Sequence, residues 1–136
     1  MSIEVTQRVE FECCYIANHE LNAHRYKFEA TVKGPQREHD FGTVIDFRNL
    51  RNHMQSVVWD KKFLYNKYDR DTIVKKVVSD LPDEFLAETD VDLSAENICK
   101  LLVSRLQKVL DFQDPGVTVI SAKLRETSDS FASWSI

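Results

Sequence analysis

Two polar side chains, Asn22 and His24, lie on an apolar face within the stretch Leu21 to Lys33. There Asn22, His24, Tyr26, Phe28, Ala30 and Val32 alternate with Ala23, Arg25, Lys27, Glu29, Thr31 and Lys33. A period of two with one charged face is the pattern of a half-buried antiparallel strand. An amide and an imidazole at the rim of such a face can line a pocket; the alternative is a strand end that simply meets water. Glu126 poses a similar question. It ends Val117–Glu126, where Ile120, Ala122, Leu124 and Glu126 share one face. A carboxylate there can accept two hydrogen bonds side by side, which suits the N–C–N edge of a pterin or guanine ring. The plain alternative is a solvated charge beside a turn.

The elements that must position these groups follow from periodicity. Ile3–Ile16 reads as a first strand, joined through Ala17–Glu20, which contains His19, to the strand Leu21–Lys33. Gly34 and Pro35 end that strand. Asp46 is an N-cap, followed by Phe47, Leu50, Met54, Val57 and Val58 at helical spacing, which predicts an amphipathic helix from Phe47 to about Trp59. Within Asp60–Leu93 the residues Ile73, Val74, Val77, Val78 and Leu81 suit a short helix by spacing and a strand by β-branching, so both stay open. Ser94 caps the next helix, with Glu96 in its first turn and Ile98, Leu101, Leu102, Leu106, Val109 and Leu110 as its buried stripe. Asp114, Pro115 and Gly116 stop it. Val117–Glu126 is a third strand and Phe131–Trp134 a fourth. The expected fold is α+β: an antiparallel ββααββ sheet with two helices on one face. Its exposed edges invite strands from other subunits, so a closed homo-oligomer joined edge to edge is expected.

Composition bounds the rest. The 136 residues carry 18 Lys+Arg and 22 Asp+Glu, a net charge of −4, with no basic run longer than a pair, so neither nucleic acid nor an anionic membrane is expected as a partner. One domain, 1–136, is expected at this length. No apolar run is long enough to span a membrane, and MSIEVTQRVEFE lacks the apolar centre of a signal peptide. Three cysteines, Cys13, Cys14 and Cys99, form no disulfide framework or metal knuckle, and a cytoplasmic setting follows as the expectation.

Four segments, in order, resemble the 6-pyruvoyl-tetrahydropterin synthase / 6-carboxytetrahydropterin synthase family, which has the tunnelling fold. They are LNAHRYKFEATV (21–32), GTVIDFRNL (42–50), SAENI (94–98) and KLRET (123–127). The resemblance implies subunits that assemble into barrels as trimers or hexamers, with sites between subunits. It puts a ring-anchoring role on Glu126 and ligand-binding roles on Ser94, Glu96 and Asn22. It also implies a carbon–oxygen lyase, and here the chain departs. The family's three zinc-binding histidines fall on Tyr15, Asn22 and His24, so one imidazole of three survives, where catalytic zinc needs three protein ligands. His19 is a substitute ligand only if the loop rearranges. The family's catalytic Cys lies in a loop that is too short here, and its Asp-His pair is Asp60 and Lys61. Asp60, Lys61 and His24 are the proton-transfer candidates of an altered enzyme. The expectation is therefore a pterin- or purine-binding member, either a divergent lyase or an inactive binding or structural oligomer. No cofactor is expected, and zinc is the alternative.

Overall fold

The structure, a computed structural model, describes residues 2–136. Its centre is a hairpin of two 16-residue strands, β1 (Ser2–Ala17) and β2 (Glu20–Pro35). They meet at a two-residue turn, Asn18 and His19, with φ of 52° and 64°. Two left-handed residues match the twist of the flanking strands, and Asn and His accept that conformation more readily than most side chains. The register then runs unbroken from Ala17↔Glu20 to Ser2↔Pro35. The strands are longer than their alternation alone delimits, and the loop between them is shorter.

Two helices cover one face of this hairpin. In α1 (Phe47–Val57) the Asp46 carboxylate accepts the Arg48 N–H at 2.9 Å, and Leu50, Met54 and Val57 are buried. Phe47, expected on the buried stripe, is 59% exposed, and the helix stops two residues short of Trp59. In α3 (Ala95–Gln113) the Ser94 hydroxyl accepts the Asn97 N–H at 3.1 Å, and Ile98, Cys99, Leu102, Val103, Leu106 and Leu110 face inward. These residues share one core with Val9, Phe11, Tyr26, Phe28, Ala30 and Leu124 of the sheet. Strands β5 (Thr118–Arg125) and β6 (Phe131–Ser135) extend the sheet antiparallel beyond β2.

Three findings correct the expected fold. Among the described residues the sheet is mixed and has six strands, in the order β4 (Leu86–Thr89), β3 (Lys62–Asn66), β1, β2, β5, β6. Strand β3 runs parallel to β1, and β4 runs parallel to β3. Between them lies a third helix, α2 (Thr72–Asp80), capped where Asp71 accepts the Ile73 N–H at 2.9 Å. A parallel pair needs a crossover, and α2 supplies it, which resolves the ambiguous segment as helix. Lastly, the β2–β5 register shifts between Thr31 and Val32, whose partners are Ser121 and Val119. Ile120 is the extra residue of this bulge, so Val119 rather than Ile120 joins Ala122 and Leu124 in the core. From Ala122 to Glu126 the expected face assignment stands. No helix among the described residues is long and apolar enough to cross a membrane.

Candidate functional site

Strand register builds the site. Across the hairpin Tyr15 pairs with Asn22, Cys13 with His24, and Phe11 with Tyr26. All six point to the helix-covered face, because period two carries the core pattern of Phe28 and Ala30 forward to the strand end. On the other side of β2, Lys27 pairs with Arg125, the last residue of β5. The chain then leaves the sheet through Glu126, whose Oε1 lies 2.5 Å from His24 Nε2, with the two side chains 25% and 32% exposed. The two residues singled out from separate stretches of sequence are therefore in contact.

Behind this pair lies an aromatic wall. The Tyr26 ring stacks on Phe11 at 5.5 Å and meets His24 edge-on at 5.7 Å. Tyr26 is fully buried, and among the described residues its hydroxyl has no hydrogen-bond partner. The Tyr15 hydroxyl is close enough that each phenol perturbs the other, although the contact falls short of full hydrogen-bond geometry. Burial is the main force raising the pKa of both tyrosines, and the charge of Glu126 adds to it. The charge of Glu96 also reaches Tyr15. Burial pushes the Cys13 thiol up to about 12, helped by Cys14 and Asp60, so Cys13 is an inert thiol at neutral pH.

The other candidates divide. Asn22 spends its amide locally, donating from Nδ2 to the Glu20 carbonyl at 3.2 Å. Ser94 is committed to capping α3, and Glu96 is exposed in its first turn. Among the described residues Asp60 and Lys61 make no hydrogen bond or ion pair with His24 or Glu126, although Lys61 and His24 line one cavity. Asp60 Oδ1 accepts the Glu12 N–H at 2.9 Å, and the Lys61 N–H donates to the Glu12 carbonyl at 2.5 Å. Together they clip the start of β3 to β1, with Lys61 at φ 58°. His19 is engaged elsewhere, paired through Nδ1 with Asp71 at 2.9 Å. Tyr26 and Phe11 are the site residues that sequence reasoning passed over. Their signal was present, since Tyr26 is the next residue on the face of Asn22 and His24, but it read as core.

The donor set does not fit a catalytic zinc. Among the described residues no three His, Cys, Asp or Glu side chains converge. Tyr15 and Asn22, the positions to which the resemblance assigns the other two ligands, offer a phenol and an amide, and the His24 Nε2 already faces a carboxylate. A buried phenol with a raised pKa and a neutral amide are poor zinc ligands beside imidazole.

The family model of 6-pyruvoyl tetrahydropterin synthase matches residues 4–135. The 6-pyruvoyl tetrahydropterin synthase of Plasmodium vivax superposes with a TM-score of 0.76 at 18% identity, covering 100% of this chain and 99% of that one. An uncharacterized protein of Wolinella succinogenes follows at TM-score 0.73 and 15% identity, covering 99% and 98%. The Caenorhabditis elegans 6-pyruvoyl tetrahydropterin synthase gives 0.66 at 15% identity, covering 100% and 96%. No curated protein matches the chain.

Proposed function

The chain belongs to the 6-pyruvoyl tetrahydropterin synthase family, and we propose that it binds a pterin- or purine-like ring without the family's zinc-dependent lyase chemistry. The observation that carries this reading is the placement of Glu126: a half-buried carboxylate at a strand end, oriented by His24 and backed by aromatic rings. His24 engages Oε1 and so fixes the carboxylate plane. The remaining lone pairs accept the amino group and ring N–H of the heterocycle's N–C–N edge. Loss of the lyase step is supported by the donor set at Tyr15, Asn22 and His24 and by the inert Cys13.

In this reading the site matures at a contact between copies of the chain in a trimeric or hexameric homo-oligomer. The sheet ends in two short edge strands, β4 and β6, whose outer backbone groups are open to a further strand. A cytoplasmic setting accords with three free cysteines.

A second reading is an oligomer that binds no ring, and the His24–Glu126 contact favours it, because the carboxylate already has a partner. Calorimetry with neopterin and guanine separates the two. The ring-binding reading expects one of them to bind and Glu126→Gln to weaken it at least tenfold, since charge-assisted hydrogen bonds contribute about 1.5–3 kcal/mol each. Equal binding by wild type and Glu126→Gln would sink it. Elemental analysis showing one zinc per chain would do the same for the zinc-free part. If neither probe binds, the structural oligomer stands.

A further inference from the structure

A cavity of about 550 Å³ lies beside the start of β3. Four of the residues that line it, Glu12, Cys14, Ala23 and Arg25, belong to the sheet face opposite His24 and Glu126, because Cys14↔Ala23 and Glu12↔Arg25 alternate with the Cys13↔His24 pair. Cys13 and His24 also line the cavity and Glu126 does not, so it adjoins the ring site at His24 without including the carboxylate. Its size is that of a small-molecule pocket, and it is too small for a folded partner.

The walls have two characters. Phe63, Leu81 and Phe85 form an apolar floor, and Leu81 and Phe85 stay 37% and 44% exposed. Large apolar side chains left open beside a concave surface mark a place where a ligand's apolar body removes them from water. The rim is basic. Arg25, Lys61 and Lys62 oppose only Glu12, in a chain whose net charge is −4. Arg25 is held by Glu12 at 2.8 Å, and Lys62 Nζ donates to the Glu84 carbonyl. Lys61 is different: among the described residues its ammonium makes no ion pair or hydrogen bond. Its backbone is left-handed at φ 58°, a conformation unfavourable for a non-glycine residue, and the Asp60–Glu12 clip holds it there.

We propose that this groove binds a monoanionic amphipathic molecule, an acyl or aryl carboxylate, with its apolar body on Phe63, Leu81 and Phe85 and its carboxylate at Lys61. The apolar floor excludes a small inorganic anion as the preferred ligand, and the basic rim disfavours a cationic amphiphile. Asp60 and Lys61 thus serve this groove, Asp60 as the residue that positions the lysine.

Decanoate is the probe, used with the full chain. Cys14 supplies a second readout, since it lines the groove and is partly exposed, while Cys13 and Cys99 are buried. Decanoate should bind in calorimetry and slow Cys14 alkylation by iodoacetamide, read by mass spectrometry. Decan-1-ol should bind at least tenfold more weakly. Lys61→Asn removes the charge with a residue that tolerates positive φ, and Phe85→Ala trims an exposed ring, so both should fold. Each should weaken decanoate several-fold or more. Glu126→Gln should bind decanoate like wild type, whatever it does to neopterin. Any of four results would overturn the proposal: no decanoate binding, no Cys14 protection, equal affinity for decan-1-ol, or loss of decanoate binding in Glu126→Gln.

Discussion

Adjacent residue pairs on one hairpin face opposite worlds. Cys13 and His24 look into the helix-covered side, where Tyr15 and Tyr26 are 4% and 0% exposed and every apolar neighbour belongs to one core. One step along, Cys14 and Ala23 look into an open groove whose phenylalanine Phe85 is 44% exposed. The backbone hydrogen bonds serving the two sides are the same. What differs is how completely each side is covered, so the sheet face does not decide chemistry by itself. Closure makes thiols inert and leaves an orphan hydroxyl, and openness leaves an uncompensated lysine.

The largest effect that can break this contrast comes from truncation. Phe28→Ala on the closed side should cost about 3–5 kcal/mol, whereas Phe85→Ala on the open side should cost less than about 1 kcal/mol. Urea denaturation measures both, and comparable losses would mean that the groove is closed in solution. Alkaline titration comes next. The ordinary thiol value is 9.0, and burial raises Cys13 to about 12 and Cys99 to about 11. Between those limits the folded chain keeps protons that the unfolded chain releases. Stability from these groups is therefore complete below pH 9 and falls as pH rises, by up to about 1.4 kcal/mol per pH unit for each thiol. Urea midpoints from pH 8 to 11 should decline, and Cys13→Ala should make the decline shallower. The smallest effect is Tyr26→Phe. Deleting a buried hydroxyl that has no partner should leave stability unchanged or raise it by up to about 1 kcal/mol. A loss above about 2 kcal/mol would show that the hydroxyl is satisfied in solution.

How much of this was legible depended on where the information resided. The long strands announced themselves, because Phe11, Cys13, Tyr26 and Phe28 carry period two over many residues, and the caps Asp46 and Ser94 do what their side chains favour. The β3–α2–β4 stretch was opaque for a physical reason. Phe63 and Leu64 are both buried in succession, so β3 has no alternation to read, and β4 is four residues long. Helix α2 buries only Val74 and exposes Ile73, so its apolar side chains do not mark a core face. The bulge at Ile120 is likewise a property of pairing with β2, which no single strand encodes. At the site, the face of Glu126 was readable and its partner was not, because His24 lies about a hundred residues away and only the sheet brings the two together. The Asp60 and Lys61 segment pointed to chemistry by its residue types, whereas its geometry is that of a clip.

The turn at Asn18 and His19 has a consequence for how the chain tolerates change. Two residues leave no slack, so the whole pairing is phased from that point. Inserting one residue into β1 beside the turn and keeping the turn itself would rotate the strand's entire pattern by one step. Glu10, Glu12 and Cys14 would then be driven under the helices, while Phe11, Cys13 and Tyr15 would be turned outward. Length variation in this family member is therefore confined to places other than its tightest bend.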